Sequence, residues 1–200
     1  MHAAEQDRPD VAERRAAWRL IGWGLDPRRL VFIDETWCKT NMTRLRGRSL
    51  VGRRLVAKVP YGHWKTTTLV AALGHRGMCC GMTVDGPVNG DVFVAFCERV
   101  LGPTLRPGDV VVMDNLSAHK VAGVREAIEA VGAEVLYLPP YSPDLNPIEL
   151  AFSKLKSLMR SAGHRAVDAL WGDTQRLLDA ITPSDAAGFF KHCGYPLQME

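Results

Sequence analysis

Val110-Val111-Val112-Met113-Asp114 sets an aspartate directly after four apolar residues, and Leu30-Val31-Phe32-Ile33-Asp34 does the same earlier in the chain. Short unbroken apolar runs rich in β-branched side chains read as buried strands. An acid at the end of such a strand is costly unless it has a partner or a task. Two such strands lying side by side bring both carboxylates to one end of a sheet.

Working outward, Thr66–Leu73 and Met78–Val84 read as further strands, the second stopping at Asp85-Gly86-Pro87. Another is expected near Leu55–Val59, with Pro60-Tyr61-Gly62 as the turn that follows it. These short, closely spaced segments describe an antiparallel meander. Asn89 then caps a helix running to about Leu101, whose side carries Val92, Phe93, Phe96 and Val100. After strand Val110–Met113 come a helix from Ser117 to about Val131 and a strand over Glu134–Leu138. Helices are expected over Pro147–Ala162, Ala166–Ile181 and Pro183–His192, and before the first strand over residues 8–21. A meander followed by β-α-β-α implies an α/β fold with a mixed sheet and helices on its faces.

A third carboxylate stands in Pro143-Asp144-Leu145-Asn146-Pro147-Ile148-Glu149-Leu150. Asn146 is a natural N-cap, Pro147 suits the first helical position, and Glu149 falls in the first turn. Ile148, Phe152, Leu155 and Met159 recur at core spacing, which leaves Glu149 at the border of the apolar stripe. Asp144 is its rival if the helix register shifts. Three converging carboxylates suit a hard divalent ion, since Mg²⁺ takes carboxylate, water and phosphate oxygens. Each acid also has a plainer reading: Glu149 closing a capping box with Asn146, Asp114 turning a loop, Asp34 paired with a base.

The composition allows this. With 46% hydrophobic and 24% charged residues the chain can bury a core, which excludes a disordered tail, a collagen-like rod and a coiled coil. No apolar run reaches membrane-spanning length and no signal-peptide core is present. The five cysteines include an adjacent pair, Cys79-Cys80, and no matched C-x-x-C pairs, so neither a disulfide framework nor a zinc site is expected. A cytoplasmic protein is the expectation. No acid occurs between Glu35 and Asp85, while Lys39, Arg44, Arg46, Arg48, Arg53, Arg54, Lys58, Lys65 and Arg76 do, an electrostatic footprint suited to phosphate backbones. Neither G-x-G-x-x-G, G-x-x-x-x-G-K-[ST] nor G-x-S-x-G is found, which disfavours dinucleotide, P-loop and serine-hydrolase chemistry.

Phe32-Ile33-Asp34-Glu35-Thr36-Trp37, Val112-Met113-Asp114-Asn115-Leu116-Ser117-Ala118-His119-Lys120 and the proline block Leu138–Glu149 closely resemble the catalytic blocks of bacterial transposases of the insertion sequence 630 family, mariner superfamily. The 34 residues between Asp114 and Glu149 are typical of that group, and Gly62–Thr66 and Arg106–Val110 extend the likeness over nearly the whole chain. A proline usual in the family near Ser49-Leu50 is missing. The resemblance implies an RNase H-like, five-stranded mixed sheet with a DDE triad, Asp34, Asp114 and Glu149, holding two Mg²⁺ or Mn²⁺ ions. It implies nicking at the element's terminal inverted repeats and transfer of the freed 3′-hydroxyl to target DNA, usually at TA. Lys39, Arg44, Arg46, Arg48, Arg53, Arg54, Lys65, His119 and Lys120 are the expected DNA contacts. Tyr141 and the prolines are expected to fix the loop that delivers Glu149, Trp37 and Trp64 to pack or approach DNA, and Trp18, Trp23 and Trp171 to pack.

The expected division is a helical lead-in over 1–27, a catalytic domain over 28–162 and a helical extension over 163–200. The lead-in is too short for the family's helix-turn-helix domains, so a partner from a split reading frame is expected to supply them. A homodimer on DNA and a bacterial, nucleoid-associated location follow from the family. The rival readings are a DNA-binding relic without chemistry and another RNase H-like nuclease, such as an RNA:DNA hybrid hydrolase.

Overall fold

The computed structural model describes residues 4–59 and 63–197, and of Trp23 the backbone only. Helix α1 (Pro9–Gly24) precedes β1 (Leu30–Lys39), β2 (Thr66–Gly74) and β3 (Gly77–Val84). Then come α2 (Gly90–Phe96), β4 (Val110–Met113), α3 (Ala122–Glu129), β5 (Glu134–Tyr137) and α4 (Pro147–Ala162). Short helices α5 (Val167–Gly172) and α6 (Thr174–Asp179) lead to α7 (Pro183–His192).

The strands form one sheet in the order β3-β2-β1-β4-β5. The meander pairs antiparallel, and β1, β4 and β5 run parallel, which is the mixed sheet expected. Alternation along each strand divides the apolar residues between two cores. Phe32, Leu69, Ala71, Leu73 and Val112 face α4, α6 and α7 with Ile148, Phe152, Leu155 and Phe190. Val31, Ile33, Val70, Val111 and Met113 face α2 and α3 with Phe93, Phe96 and Ile128. Central strands buried on both faces account for the unbroken apolar runs at 30–33 and 110–113. Phe32 is completely buried between the rings of Phe190 and Tyr195, so truncating it to Ala costs about 3–5 kcal/mol. Trp18 is buried and donates from Nε1 to Tyr195 Oη at 2.8 Å, while half-exposed Trp171 donates to Thr67 Oγ1 at 2.9 Å.

Three expectations need correction. Leu55–Val59 is no strand. Both edges of β1 are taken by β2 and β4, and the segment is exposed within the long β1–β2 connection. The turn expected at Pro60-Tyr61-Gly62 and the packing of the Trp23 side chain lie outside the described residues. The helix expected from Ser117 is two pieces, a 3₁₀ turn at Ser117–Lys120 and then α3, because the turn directs His119 inward. The helix expected over 166–181 breaks at Asp173, whose carboxylate accepts from His164 at 2.8 Å and from Arg176. Among the described residues no helix is long and apolar enough to cross a membrane, and the five cysteines are free thiols.

Candidate active site

The parallel pairing of β1 with β4 brings Asp34, in mid-strand, beside the end of β4, where Asp114 begins a loop. Strand alternation turns Asp34 toward the α4 face and Glu35 toward the α2–α3 face. The first turn of α4 brings up Glu149. The three carboxylates line one cleft of about 470 Å³ together with Asn115, Tyr141 and Asn146.

Asp34 is 7% exposed. Its Oδ1 accepts from the Glu35 backbone N–H at 2.8 Å, and its Oδ2 from Asn146 Nδ2 at 2.9 Å. Burial pushes its carboxyl up to about 7 against the help of that N–H, and the charges of Asp114 and Glu149 push the same way. Asn146 occupies the N-cap position of α4, but its side chain does not cap the helix. It is drawn to Asp34 instead, so the capping box with Glu149 does not form. Its own Oδ1 is buried without a hydrogen-bond partner among the described residues.

Asp114 is held from the opposite side. Its Oδ1 accepts from the Leu116 backbone N–H at 2.9 Å and stands 2.7 Å from His119 Nδ1, an ion-pair contact too poorly angled to count as a hydrogen bond. Nε2 of the same imidazole lies 2.8 Å from Glu35 Oε2. The ring is fully buried, stacked on Phe93 at 4.2 Å, and the Tyr137 hydroxyl donates to its backbone carbonyl at 3.1 Å. Burial alone would strip its proton, yet Asp114 and Glu35 raise it to about 9. The two carboxylates thus favour the imidazolium. Burial would likewise raise Asp114, but His119 and the Leu116 N–H hold it below the ordinary value.

Glu149 stands on the exposed lip. Lost hydration raises its carboxyl, Lys156 opposes that, and Asp114 adds to it. The loop before it is pinned from a distance. Tyr141 adopts a left-handed backbone (φ 55°), a costly conformation for a residue with a side chain, and its carbonyl accepts from Gln6 Nε2 at 2.7 Å. Arg15 on α1 grips Asp144 through both nitrogens, at 2.9 and 2.6 Å, and donates to Ser142 Oγ at 2.7 Å. Asp144, thus paired, does not line the cleft.

The expected DNA contacts divide. Arg44, Arg46, Arg48, Arg53 and Arg54 are exposed on the β1–β2 connection. Lys39 lies over the half-exposed rings of Trp37 and Trp64, at 4.8 and 5.9 Å, and Lys65 adjoins them on the surface. Lys120 is exposed above Tyr137. His119 is corrected: buried, with both nitrogens turned to carboxylates, it presents no group to DNA. Sequence reasoning also missed Asn146 as the partner of Asp34, because an Asn before Pro reads first as a cap. It missed the grip of Arg15, for which no local signal exists.

The donor set fits a hard divalent cation. It offers carboxylate and amide oxygens without sulfur, mutually unfavourable negative charges, and one buried amide oxygen lacking a donor. Among the described residues no three His, Cys, Asp or Glu side chains close into a finished cage. An open arrangement suits Mg²⁺, which keeps waters and takes one or two protein carboxylates.

Comparison with known proteins places this geometry. In structure, 97% of the chain superposes on 62% of the Mos1 transposase in its paired-end complex with the left transposon end, at a TM-score of 0.78 and 17% identity. The mariner Mos1 paired-end complex with Mg matches at 0.72 and 19% identity, over 94% of this chain and 60% of that one. The isolated catalytic domain of Mos1 matches at 0.65 and 16% identity, over 97% and 91%. The chain thus spans about three fifths of the longer Mos1 chains, and its RNase H-like fold is theirs. No curated protein matches the sequence. A family model does, that of the DDE superfamily endonucleases, over residues 29–170. With its carboxylates gathered on a sheet of that topology and most of its length inside that match, the chain belongs to the DDE superfamily endonuclease family.

Proposed function

We propose that this chain is the catalytic domain of a transposase of the insertion sequence 630 type, cleaving DNA strands at transposon ends and transferring the freed 3′-hydroxyl to target DNA at TA. The observation that carries the reading is the gathering of Asp34, Asp114 and Glu149 in one cleft that Asn146 also lines. Asp34, Asp114 and Glu149 are the residues proposed to hold two Mg²⁺ or Mn²⁺ ions. Bound there, such ions would supply charge neutralisation at a scissile phosphate and acidify an attacking water. Asn146 keeps Asp34 oriented, and the His119 imidazolium keeps Asp114 ionised and aimed. Arg44, Arg46, Arg48, Arg53, Arg54, Lys39, Lys65 and Lys120 are proposed to hold the phosphate backbone without reading sequence. Recognition of terminal inverted repeats is assigned to a helix-turn-helix module, carried by a longer form of this chain or by a partner from a split reading frame. Action as a homodimer on DNA, in a bacterial cytoplasm at the nucleoid, completes the proposal. The division into lead-in (1–27), catalytic unit (28–162) and extension (163–200) belongs to it too.

The test is Mn²⁺-dependent nicking of supercoiled plasmid, which needs no end recognition. Wild type should nick and Asp114→Asn should not, with unchanged circular dichroism. Nicking that persists in Asp114→Asn refutes the site. DNA binding without nicking by wild type would leave a non-catalytic relic, and preference for RNA:DNA hybrids would move the chain to another nuclease class.

A further inference from the structure

A second cleft, of about 420 Å³, opens at the other end of the sheet. It lies where β1 begins, between the β2–β3 turn and the segment entering β4. Asp109 precedes β4 and Asp114 follows it, so roughly 15 Å of strand separates this cleft from the carboxylates. Arg28, Arg29, Arg76 and Arg106 line it, against only Asp26 and Asp109. Both acids are engaged in the walls. Asp26 Oδ1 accepts from the Arg28 backbone N–H at 2.9 Å. Asp109 Oδ2 accepts from the Arg106 backbone N–H at 2.8 Å, while its Oδ1 lies 3.6 Å from Arg29. The Arg76 and Arg106 guanidiniums enter no ion pair among the described residues, and both residues are exposed.

The β2–β3 turn beside the cleft is closely packed. Gly77 holds the β2–β3 turn at φ +121°, and a Cβ there would stand 2.6 Å from the Ile181 carbonyl, so the turn tip lies directly on the α6–α7 connection. The field inside is positive. His75, between Arg28 and Arg76, releases its proton more readily than a free imidazole, through burial first and then the repulsion of Arg76.

We propose that this cleft is a second phosphate-binding site, taking backbone phosphates of a DNA segment other than the one at the carboxylates. The shared chemistry is that of any phosphate. Guanidinium forks match phosphate oxygens pairwise, and four exposed arginines ringing an open cleft suit a backbone laid across it better than an enclosed small anion. Only the identity of the polymer rests on the function proposed above.

The experiment titrates labelled duplex of about 12 bp onto the full chain without divalent metal, so it is read whether or not the chain nicks. Wild type should take up one more duplex than Arg76→Glu/Arg106→Glu, and the variant's salt slope should fall by about 2. An Arg44→Glu/Arg46→Glu/Arg48→Glu variant should keep the duplex that the cleft variant loses. Should the double reversal fail to fold, Arg76→Ala and Arg106→Ala, both at exposed positions, should each lose part of the same binding. Equal stoichiometry and slope in wild type and the cleft variants overturn the site. Inorganic phosphate is the second probe, followed by ³¹P line broadening. Broadening that the reversal abolishes, with no extra duplex bound by wild type, overturns the DNA assignment in favour of a small anion.

Discussion

Breaking the grip of Arg15 on Asp144 tests whether the first helix props the loop that leads to Glu149. The Arg15 side chain is 8% exposed and that of Asp144 35%, so the pair is intermediate between two regimes. Exposed ion pairs contribute about 0–1 kcal/mol. Removing one partner of a fully buried pair costs about 3–5 kcal/mol, because a charge is left stranded. Asp144→Ala leaves a nearly buried guanidinium with Ser142 Oγ as its remaining side-chain acceptor, so a loss of about 2 kcal/mol is expected. Asp144→Asn keeps one acceptor and should lose about 1 kcal/mol. Urea unfolding at neutral pH of wild type, Asp144→Ala, Arg15→Ala and the double variant isolates the pair. Its coupling should be about 1–2 kcal/mol and should survive molar salt, since screening acts mainly on exposed charges. Because the pair holds the loop leading to Asn146 and Glu149, plasmid nicking should fall in both single variants by more than unfolding explains. A coupling under about 0.5 kcal/mol, or one that salt erases, would show the pair to be an ordinary surface contact.

His119→Gln should reduce Mn²⁺-dependent nicking at least about tenfold with the helical dichroism unchanged, as Asp114 loses the cation that keeps it ionised; undiminished nicking would remove the positioning role. Asp185, paired with Lys154 at 2.6 Å and accepting from Thr182, is held down to about 2. Its stabilisation is therefore complete above the ordinary carboxylate value near 3.8 and fades as pH falls toward 2. With its side chain a quarter exposed, about 1 kcal/mol is expected. Acid unfolding of Asp185→Asn should lack that share of the pH dependence, and coincident curves would refute the assignment. Charge reversal at Arg44, Arg46 and Arg48 should weaken DNA binding at low salt and flatten its salt dependence; equal affinity across the variants would dismiss the basic connection as a DNA contact.

The strands that carry Asp34 and Asp114 were legible because burial on both faces leaves a continuous apolar run, and the acid after it stands out. Helix α4 was legible for a similar reason: Ile148, Phe152, Leu155 and Met159 repeat at helical spacing behind a proline. Leu55–Val59 misled because apolar content says nothing about whether a strand edge is free to receive it. His119 misled because Glu35 and Phe93, which enclose its ring, come from β1 and α2, far from it in sequence; only Asp114 is near. The grip of Arg15 on Asp144 joins residues 129 positions apart, and nothing local announces it. Local chemistry thus revealed which groups are candidates for the site, while long-range packing decides what supports them.

The support is graded, and the grading has a physical sense. Asp34 is buried in mid-strand with both oxygens occupied, so its position is that of the sheet itself. Asp114 sits just past a strand and is held by one imidazolium and one backbone N–H. Glu149, on the lip, accepts no side-chain hydrogen bond among the described residues and depends on the pinned loop for its place. Two of the three carboxylates are pushed above their ordinary values by lost hydration and mutual charge, and the third stays low through His119 and the Leu116 backbone N–H. Packed cores on both faces of the sheet resist the spreading that would relieve this repulsion. A divalent cation held by these carboxylates would relieve that repulsion with the sheet in place, and Glu149, which accepts no side-chain hydrogen bond among the described residues, would be the ligand least fixed beforehand.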